Sequence, residues 1–289
     1  MTDKTSLYIK KIDAALDKYL SNDEFGVKTL YDSMRYSVLM PGKRIRPIMS
    51  LSFCALCGAD EAAALPFACA VEMIHAYSLI HDDLPCMDND VLRRGKPTNH
   101  IVYGEAIALL AGDALLTKAF EVISGVTGIK PASVVEAVKV MSKLAGFMVD
   151  GQCIDLTLEK EKVSFGTLKQ MDIGKTVGLI SAACQMGCIA AGAPKTLQEL
   201  SASYALNLGL AFQIRDDILG EVGDTASLGK TVGLDKENNK QNYVSLLGAV
   251  ESQKLVVEYT NKAITILDKF SGNTEYLKKL TLSLVERTA

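Results

Sequence analysis

The 289-residue chain is predicted to fold as an all-α bundle of about ten helices around a central cavity. Three observations carry that prediction. Apolar residues recur at helical three-four spacing, strand-like alternation joined by Asn-Gly or Asp-Gly turns is absent, and only seven prolines occur. Length alone allows one large domain or two ordinary ones. With no Ser/Gly/Pro-rich linker to divide it, the chain is expected to form a single domain over residues 1–289.

The elements follow in order. Ile12, Leu16 and Leu20 repeat every four residues and predict an N-terminal helix. An apolar run ends at His81-Asp82-Asp83-Leu84-Pro85, and Pro85 should stop its helix just after the Asp pair. The run from Thr176 to Ala193 is uncharged and falls short of the roughly 20 apolar residues of a membrane span. A buried central helix is expected there, and no transmembrane segment. Thr196-Leu197-Gln198-Glu199, after Pro194, reads as a capping box opening the next helix. Gly272-Asn273 separates the last two patterns, the final one marked by Leu277, Leu280 and Leu284.

Composition excludes several classes. A net charge of −3 leaves no global basic field, so nucleic acid is not an expected partner. Seven cysteines form an odd set without framework spacing, which reads as reduced thiols of a cytoplasmic protein. Cys54 and Cys57 form one CxxC with small apolar flanks, better suited to core packing than to zinc or redox chemistry. Met1-Thr2-Asp3-Lys4-Thr5 contains no apolar stretch of the kind that begins a secretory signal.

The chemistry concentrates in two acidic clusters. Asp82, Asp83, Asp88 and Asp90 fall within nine residues, followed by Arg93-Arg94. Crowded carboxylates repel unless a cation lies between them, and clustered oxygen ligands suit Mg²⁺, a hard cation usually shared with substrate phosphates. An isolated Asp pair more often caps a helix in solvent. Here Asp82 and Asp83 lie 100° apart on the helix, His75 shares the face of Asp82, and Asp88 is expected to arrive from beyond the helix end. A second pair, Asp216-Asp217, recurs on another apolar helix with Gln213 on the same face. Two such pairs predict carboxylates facing each other across a cavity. Lys43, Arg44 and Arg46 cluster beside Gly42, Lys175-Thr176 precedes an apolar helix, and Lys230 follows the second pair. A basic loop alone would be unremarkable. Together these cations exceed the need of one metal-held diphosphate and point to a second phosphorylated substrate.

These motifs, in this order, resemble the all-trans short-chain prenyl diphosphate synthases, most closely the bacterial farnesyl diphosphate synthases. The resemblance runs from Gly42–Pro47 through Glu72–His75, Asp82-Asp83…Asp88…Arg93-Arg94-Gly95, Gly112-Asp113, Gly151-Gln152, Lys175-Thr176 and Phe212-Gln213…Asp216-Asp217 to Leu228-Gly229-Lys230. It implies an isoprenoid synthase-like fold around a central active-site cavity, and a homodimer. It also implies condensation of isopentenyl diphosphate with an allylic diphosphate, dependent on Mg²⁺, three ions per site. Asp82, Asp83, Asp88, Asp216 and Asp217 are the implied metal ligands. Arg93, Lys175, Thr176, Gln213 and Lys230 match residues that hold the allylic diphosphate, while Lys43, Arg46, His75 and Arg94 match the isopentenyl diphosphate pocket. Asp82, Asp83, Lys175, Gln213 and Asp216 are the implied catalytic set. Tyr77 matches the aromatic floor that limits product to C15, with a C20 product the alternative and an ordinary core tyrosine the bland reading. One departure stands out: Gly220 occupies the third acidic position of the second motif, where Glu221 or Asp224 could compensate.

Three competing readings follow from the same residues. A terpene cyclase ionises one substrate and does not need the Lys43/Arg46/Arg94 set. A non-catalytic subunit of the same fold has Gly220 as its support. A Ca²⁺ scaffold lacks any loop with the required ligand spacing.

Overall fold

The computed structural model describes residues 3–21, 26–157, 163–222 and 241–286. Among them, ten helices have eleven residues or more: α1 (Asp3–Tyr19), α2 (Lys28–Val38), α3 (Ile45–Leu56), α4 (Leu65–Asp82), α6 (Glu105–Ser124), α7 (Pro131–Thr157), α9 (Gly178–Ala190), α10 (Lys195–Val222), α12 (Ala249–Leu267) and α13 (Glu275–Val285). Shorter helices are α5 (Asn99–Tyr103), α8 (Phe165–Asp172) and α11 (Tyr243–Leu247). The expected all-α bundle is the observed fold.

Burial follows the apolar pattern. The repeat Ile12, Leu16 and Leu20, along α1 and just past its end, is fully buried, and the Leu277, Leu280 and Leu284 face of α13 is buried too. α4 and α9 are apolar all round and are central for that reason. α4 packs on α6 and α3, and α9 packs on α3, α10 and α7. One hydrophobic cluster runs through the described elements from Tyr8 to Val285.

Two details differ from expectation. The helical stretches Glu61–Asp82 and Phe165–Ala190 are long and apolar enough to cross a bilayer, because the run after Thr176 continues backward into α8. Both are mostly buried inside the bundle, as core helices are. α10 opens at Lys195, with the Leu197 and Gln198 N–H groups donating to the Pro194 carbonyl, so Thr196 lies inside the first turn and not at a cap.

A small antiparallel hairpin interrupts the helices: β1 (Leu92–Arg93) pairs with β2 (Lys96–Pro97). Arg94 (φ 52) and Gly95 (φ 75) both take left-handed backbone, the geometry a two-residue hairpin turn requires. Arg94 does so without glycine's freedom, at a cost of about 1–2 kcal/mol.

α3 and α9 run in the same direction and touch backbone to backbone. The Ser50 hydroxyl donates to the Ala183 carbonyl, and one turn on, a Cβ at Gly187 would lie 2.3 Å from the Ser50 carbonyl oxygen and 2.9 Å from the Cys54 nitrogen. Gly187→Ala should therefore destabilise the fold by about 1–3 kcal/mol through overpacking. Urea unfolding measures this; a variant as stable as wild type would mean the helices separate freely.

Candidate active site

The site is assembled where helices end. α4 stops at Asp82, before Pro85, and Asp83 caps it. The Asp88 N–H then donates to the Asp82 carbonyl at 2.8 Å, folding the turn back onto the helix end. Asp82 and Asp88 are thereby neighbours. Burial, with Asp88 and Asp83 adding to it, pushes the Asp82 carboxyl up to about 6, against the pull of Lys175.

Asp83 faces another way. Its carboxylate accepts three hydrogen bonds from Arg93, Nε to Oδ1 at 2.7 Å and to Oδ2 at 2.9 Å and Nη2 to Oδ1 at 2.5 Å, and its side chain is 4% exposed. The pair is forked and buried, the strong arrangement for an arginine. Asp90 adds a longer contact at 3.4 Å. Asp83 is thus placed to hold Arg93, while Asp82 faces the cavity.

The basic wall is formed by the start of α3 and the middle of α4. Arg46 stands beside His75, Nη1 to Nε2 3.4 Å, and its buried Nε has no hydrogen-bond partner in the protein. Burial and then Arg46, Arg94, Arg93 and Arg44 hold the His75 ring well below the usual histidine range, so it is neutral. Nε2 faces a guanidinium, which places the ring proton on Nδ1. Arg94 is exposed and reaches the Met40 and Pro41 carbonyls over Gly42, where a Cβ would strike its guanidinium. Lys43 is exposed in the preceding loop. Arg44 turns inward from the same cluster to pair with Glu72 and Asp13, each at 2.8 Å. It braces α3 against α4 and α1.

Lys175 and Thr176 lie in a π-helical turn, Ile173–Val177, a distortion common at functional sites. The turn crosses α7 at glycine contacts: a Cβ on Gly151 would lie 2.2 Å from the Lys175 nitrogen, and one on Gly174 2.5 Å from the Phe147 carbonyl oxygen. This approach sets the Lys175 ammonium 2.6 Å from Asp155, one turn along α7. Asp155 was not singled out in the sequence. Its signal is the four-residue step from Gly151 on the same helix.

The second Asp pair is linked to this turn. The Thr176 hydroxyl donates to Gln213 Oε1 (3.2 Å), Gln213 Nε2 donates to Asp217 Oδ1 (3.2 Å), and the Tyr243 N–H donates to Asp217 Oδ2 (3.0 Å). Asn242 and Ser245 cap α11 reciprocally, presenting that N–H. Asp216 is half-buried beside it. Gly220 is exposed and a Cβ there meets nothing within 4 Å; Glu221 is approached by Asn242 at 3.5 Å. Asp224 and Lys230 lie outside the described residues.

A cavity of about 390 Å³ gathers Arg46, His75, Tyr77, Asp82, Lys175 and Thr176. Its apolar part includes Met87, Met148, Val149 and Leu156. Tyr77 is 7% exposed and meets His81 edge to face, centroids 5.5 Å apart. Asp216, Asp217, Arg93 and Arg94 do not line this space; the second pair reaches it through Gln213 and Thr176. Among the described residues no three His, Cys, Asp or Glu side chains converge as a closed ligand set. Open carboxylates of this kind suit Mg²⁺, which completes its shell with water and phosphate oxygens.

A helical bundle with carboxylates and cations gathered at one apolar cavity defines an enzyme that handles diphosphates of hydrocarbons. The polyprenyl synthetase family model matches residues 27–275, and the chain belongs to that family. It is 48% identical over 248 residues to a geranylgeranyl diphosphate synthase of Cyanophora paradoxa, covering 83% of this chain and 82% of that protein. It is 42% identical over 276 residues to a farnesyl diphosphate synthase of Geobacillus stearothermophilus, covering 93% of each. The crystal structure of an FPP/GFPP synthase from Zymomonas mobilis superposes with a TM-score of 0.88 at 35% identity, covering 97% of both chains.

Asp172, at the end of α8, adds a buried carboxyl that the sequence did not flag. Burial, then Asp217, pushes it from 3.8 up to about 8. Tyr243 stands beside it, and its hydroxyl pulls the carboxyl partly back down. An acid raised on folding keeps a proton that the unfolded chain releases, so its stabilising effect is present at low pH and lost as pH rises from about 4 to about 8. Metal-free Asp172→Asn should therefore gain stability relative to wild type between pH 5 and about 8. Urea titrations across that range check the sign, and a difference that stays constant with pH contradicts it.

Proposed function

We propose that the chain is a farnesyl diphosphate synthase-type (2E,6E) prenyltransferase. It would condense isopentenyl diphosphate with dimethylallyl and then geranyl diphosphate. The observation that carries this reading is the single cavity joining Asp82, Lys175 and Thr176 on one side to Arg46 and His75 on the other, above an apolar floor.

Asp82 and Asp88, with Asp216 and Asp217 opposite, are assigned to Mg²⁺, three ions per site, and Asp83 shares the first motif while anchoring Arg93. Bound Mg²⁺ supplies positive charge that offsets the charge developing on the departing diphosphate. Lys175, Thr176, Gln213 and Arg93 hold and orient the allylic diphosphate, with Lys230 expected to join them. Arg46, Lys43, Arg94 and neutral His75 hold the second diphosphate without metal. As the allylic C–O bond ionises, the double bond of isopentenyl diphosphate attacks the cation, and the proton lost afterwards passes to the departing diphosphate. Buried Tyr77 and Met148 keep water from the cation, and Val149 and Leu156 help set the approach of the two chains.

Tyr77, closed off by His81, supports a C15 limit. A C20 product is the second reading, favoured by the α7 side of the cavity, where Val149 is 55% and Leu156 37% exposed. Ile101, Val102, Leu109 and Leu110 form an exposed apolar face on α5 and α6, which supports a homodimer. Seven thiols without a disulfide support a reducing, cytoplasmic setting.

Purified protein with Mg²⁺, an allylic primer and carbon-14 isopentenyl diphosphate should yield labelled prenyl diphosphate, and a chelator should abolish it. No incorporation would leave a cyclase or a non-catalytic subunit. Tyr77→Ala should shift the main product from C15 to C20 or longer in chromatography of the dephosphorylated alcohols; an unchanged distribution rejects the floor assignment.

A further inference from the structure

The seam between α3 and α9 holds four cysteines that the diphosphate chemistry leaves unused. Cys54 and Cys57 lie at the end of α3, and Cys184 and Cys188 on α9. Because the helices run the same way, the end of one thiol pair faces the end of the other. Cys57 Sγ and Cys188 Sγ are 3.7 Å apart although 131 residues separate them in sequence. Cys57 is half-buried at the rim, whereas Cys188 is fully buried behind it.

We propose that Cys57 and Cys188 form a reversible thiol-oxidation site, in which a hydroperoxide oxidises Cys57 and Cys188 resolves it to a disulfide joining α3 to α9. The Cys57 thiol is pulled below its ordinary range by its contact with Cys188, which is itself pushed up by that contact and by burial. Cys57, the more exposed of the two, is the sulfur that a peroxide reaches first, and it attacks once deprotonated. Its sulfur attacks the peroxide, the O–O bond breaks, and the displaced oxygen leaves as water or an alcohol after taking a proton. Cys57 has then lost two electrons and is a sulfenic acid. Cys188 sulfur attacks it, the S–S bond forms, the S–O bond breaks, and hydroxide leaves with the Cys188 proton as water. Two thiols and one hydroperoxide thus give one disulfide; a dithiol reductant reverses it.

The local geometry selects this pair. A disulfide needs about 2.05 Å between sulfurs, so roughly 1.7 Å must be closed. Cys57 is the C-cap of α3, one residue past the helix, so side-chain rotation there does not disturb the helix interior. Cys54 is buried, donates to the Asp60 carbonyl at 3.3 Å, and has its thiol pushed up to about 12 by burial. Cys184 is buried and its thiol is raised for the same reason. The link lies eleven residues along α3 from Arg46, roughly 16 Å at 1.5 Å per residue, so it ties the helices at the end remote from the cavity.

The test is hydrogen peroxide treatment of the purified full chain, alkylation of remaining thiols, and peptide mapping by mass spectrometry. The expected result is a Cys57–Cys188 link, two hydrogens lighter, that dithiothreitol removes and that raises the melting temperature by about 5 °C. Cys188→Ala should leave Cys57 without its resolving thiol, raising its conversion to sulfinic acid at least tenfold, whereas Cys54→Ser and Cys184→Ala should retain the link. A link between Cys54 and Cys57, conversion of Cys57 to sulfinic acid in the wild type, or loss of the Cys57–Cys188 link in Cys54→Ser would each overturn the proposal.

Discussion

Uncompensated charge at one cavity governs this structure. On one wall burial, reinforced by Arg46, Arg94, Arg93 and Arg44, drives His75 to its neutral form; on the other, burial and neighbouring carboxylates raise Asp82 to about 6. Each set repels itself, and a low-dielectric surrounding strengthens that repulsion. The protein relieves part of it internally, through Arg93–Asp83, Arg44–Glu72 and Lys175–Asp155. The remainder is complementary to diphosphates and a divalent cation, and binding them is the natural way to lower its energy.

Holding such a site together requires a scaffold that does not yield to the repulsion. α4 and α9 supply it, being apolar on every side and buried by their neighbours. Their charged ends emerge at the cavity, Asp82 and Asp83 at the C-terminus of α4 and Lys175 just before the N-terminus of α9; each has the sign that the helix dipole disfavours, so compensation falls to side chains and ligands. Close glycine contacts then set positions to fractions of an ångström. Gly151 and Gly174 allow the π turn to lie against α7, which is what places Lys175 beside Asp155.

Much of the site was legible because its residues are local in sequence. Asp82, Asp83 and Asp88 fall in one motif, and Pro85 marks where their helix ends. Asp83 illustrates the limit of that view. The 100° step between adjacent helical residues already separates it from Asp82, but its partner Arg93 is supplied by a hairpin turn through left-handed Arg94. Asp172, Asp155 and Tyr243 were not legible. Each sits in an ordinary helical pattern and acquires its meaning from elements far along the chain. The CxxC likewise looked like simple packing until α9 brought Cys188 to it.

The sequence by itself determined the helical class, the central position of α4 and α9, and the two acidic motifs, because hydrophobic periodicity and local spacing are properties of short segments. Tertiary structure alone decided which carboxylate meets an arginine and which faces the cavity, which lysine is tethered, and which thiols touch. Those outcomes depend on the register of helices packed side by side, and that register is set by backbone contacts between residues distant in sequence.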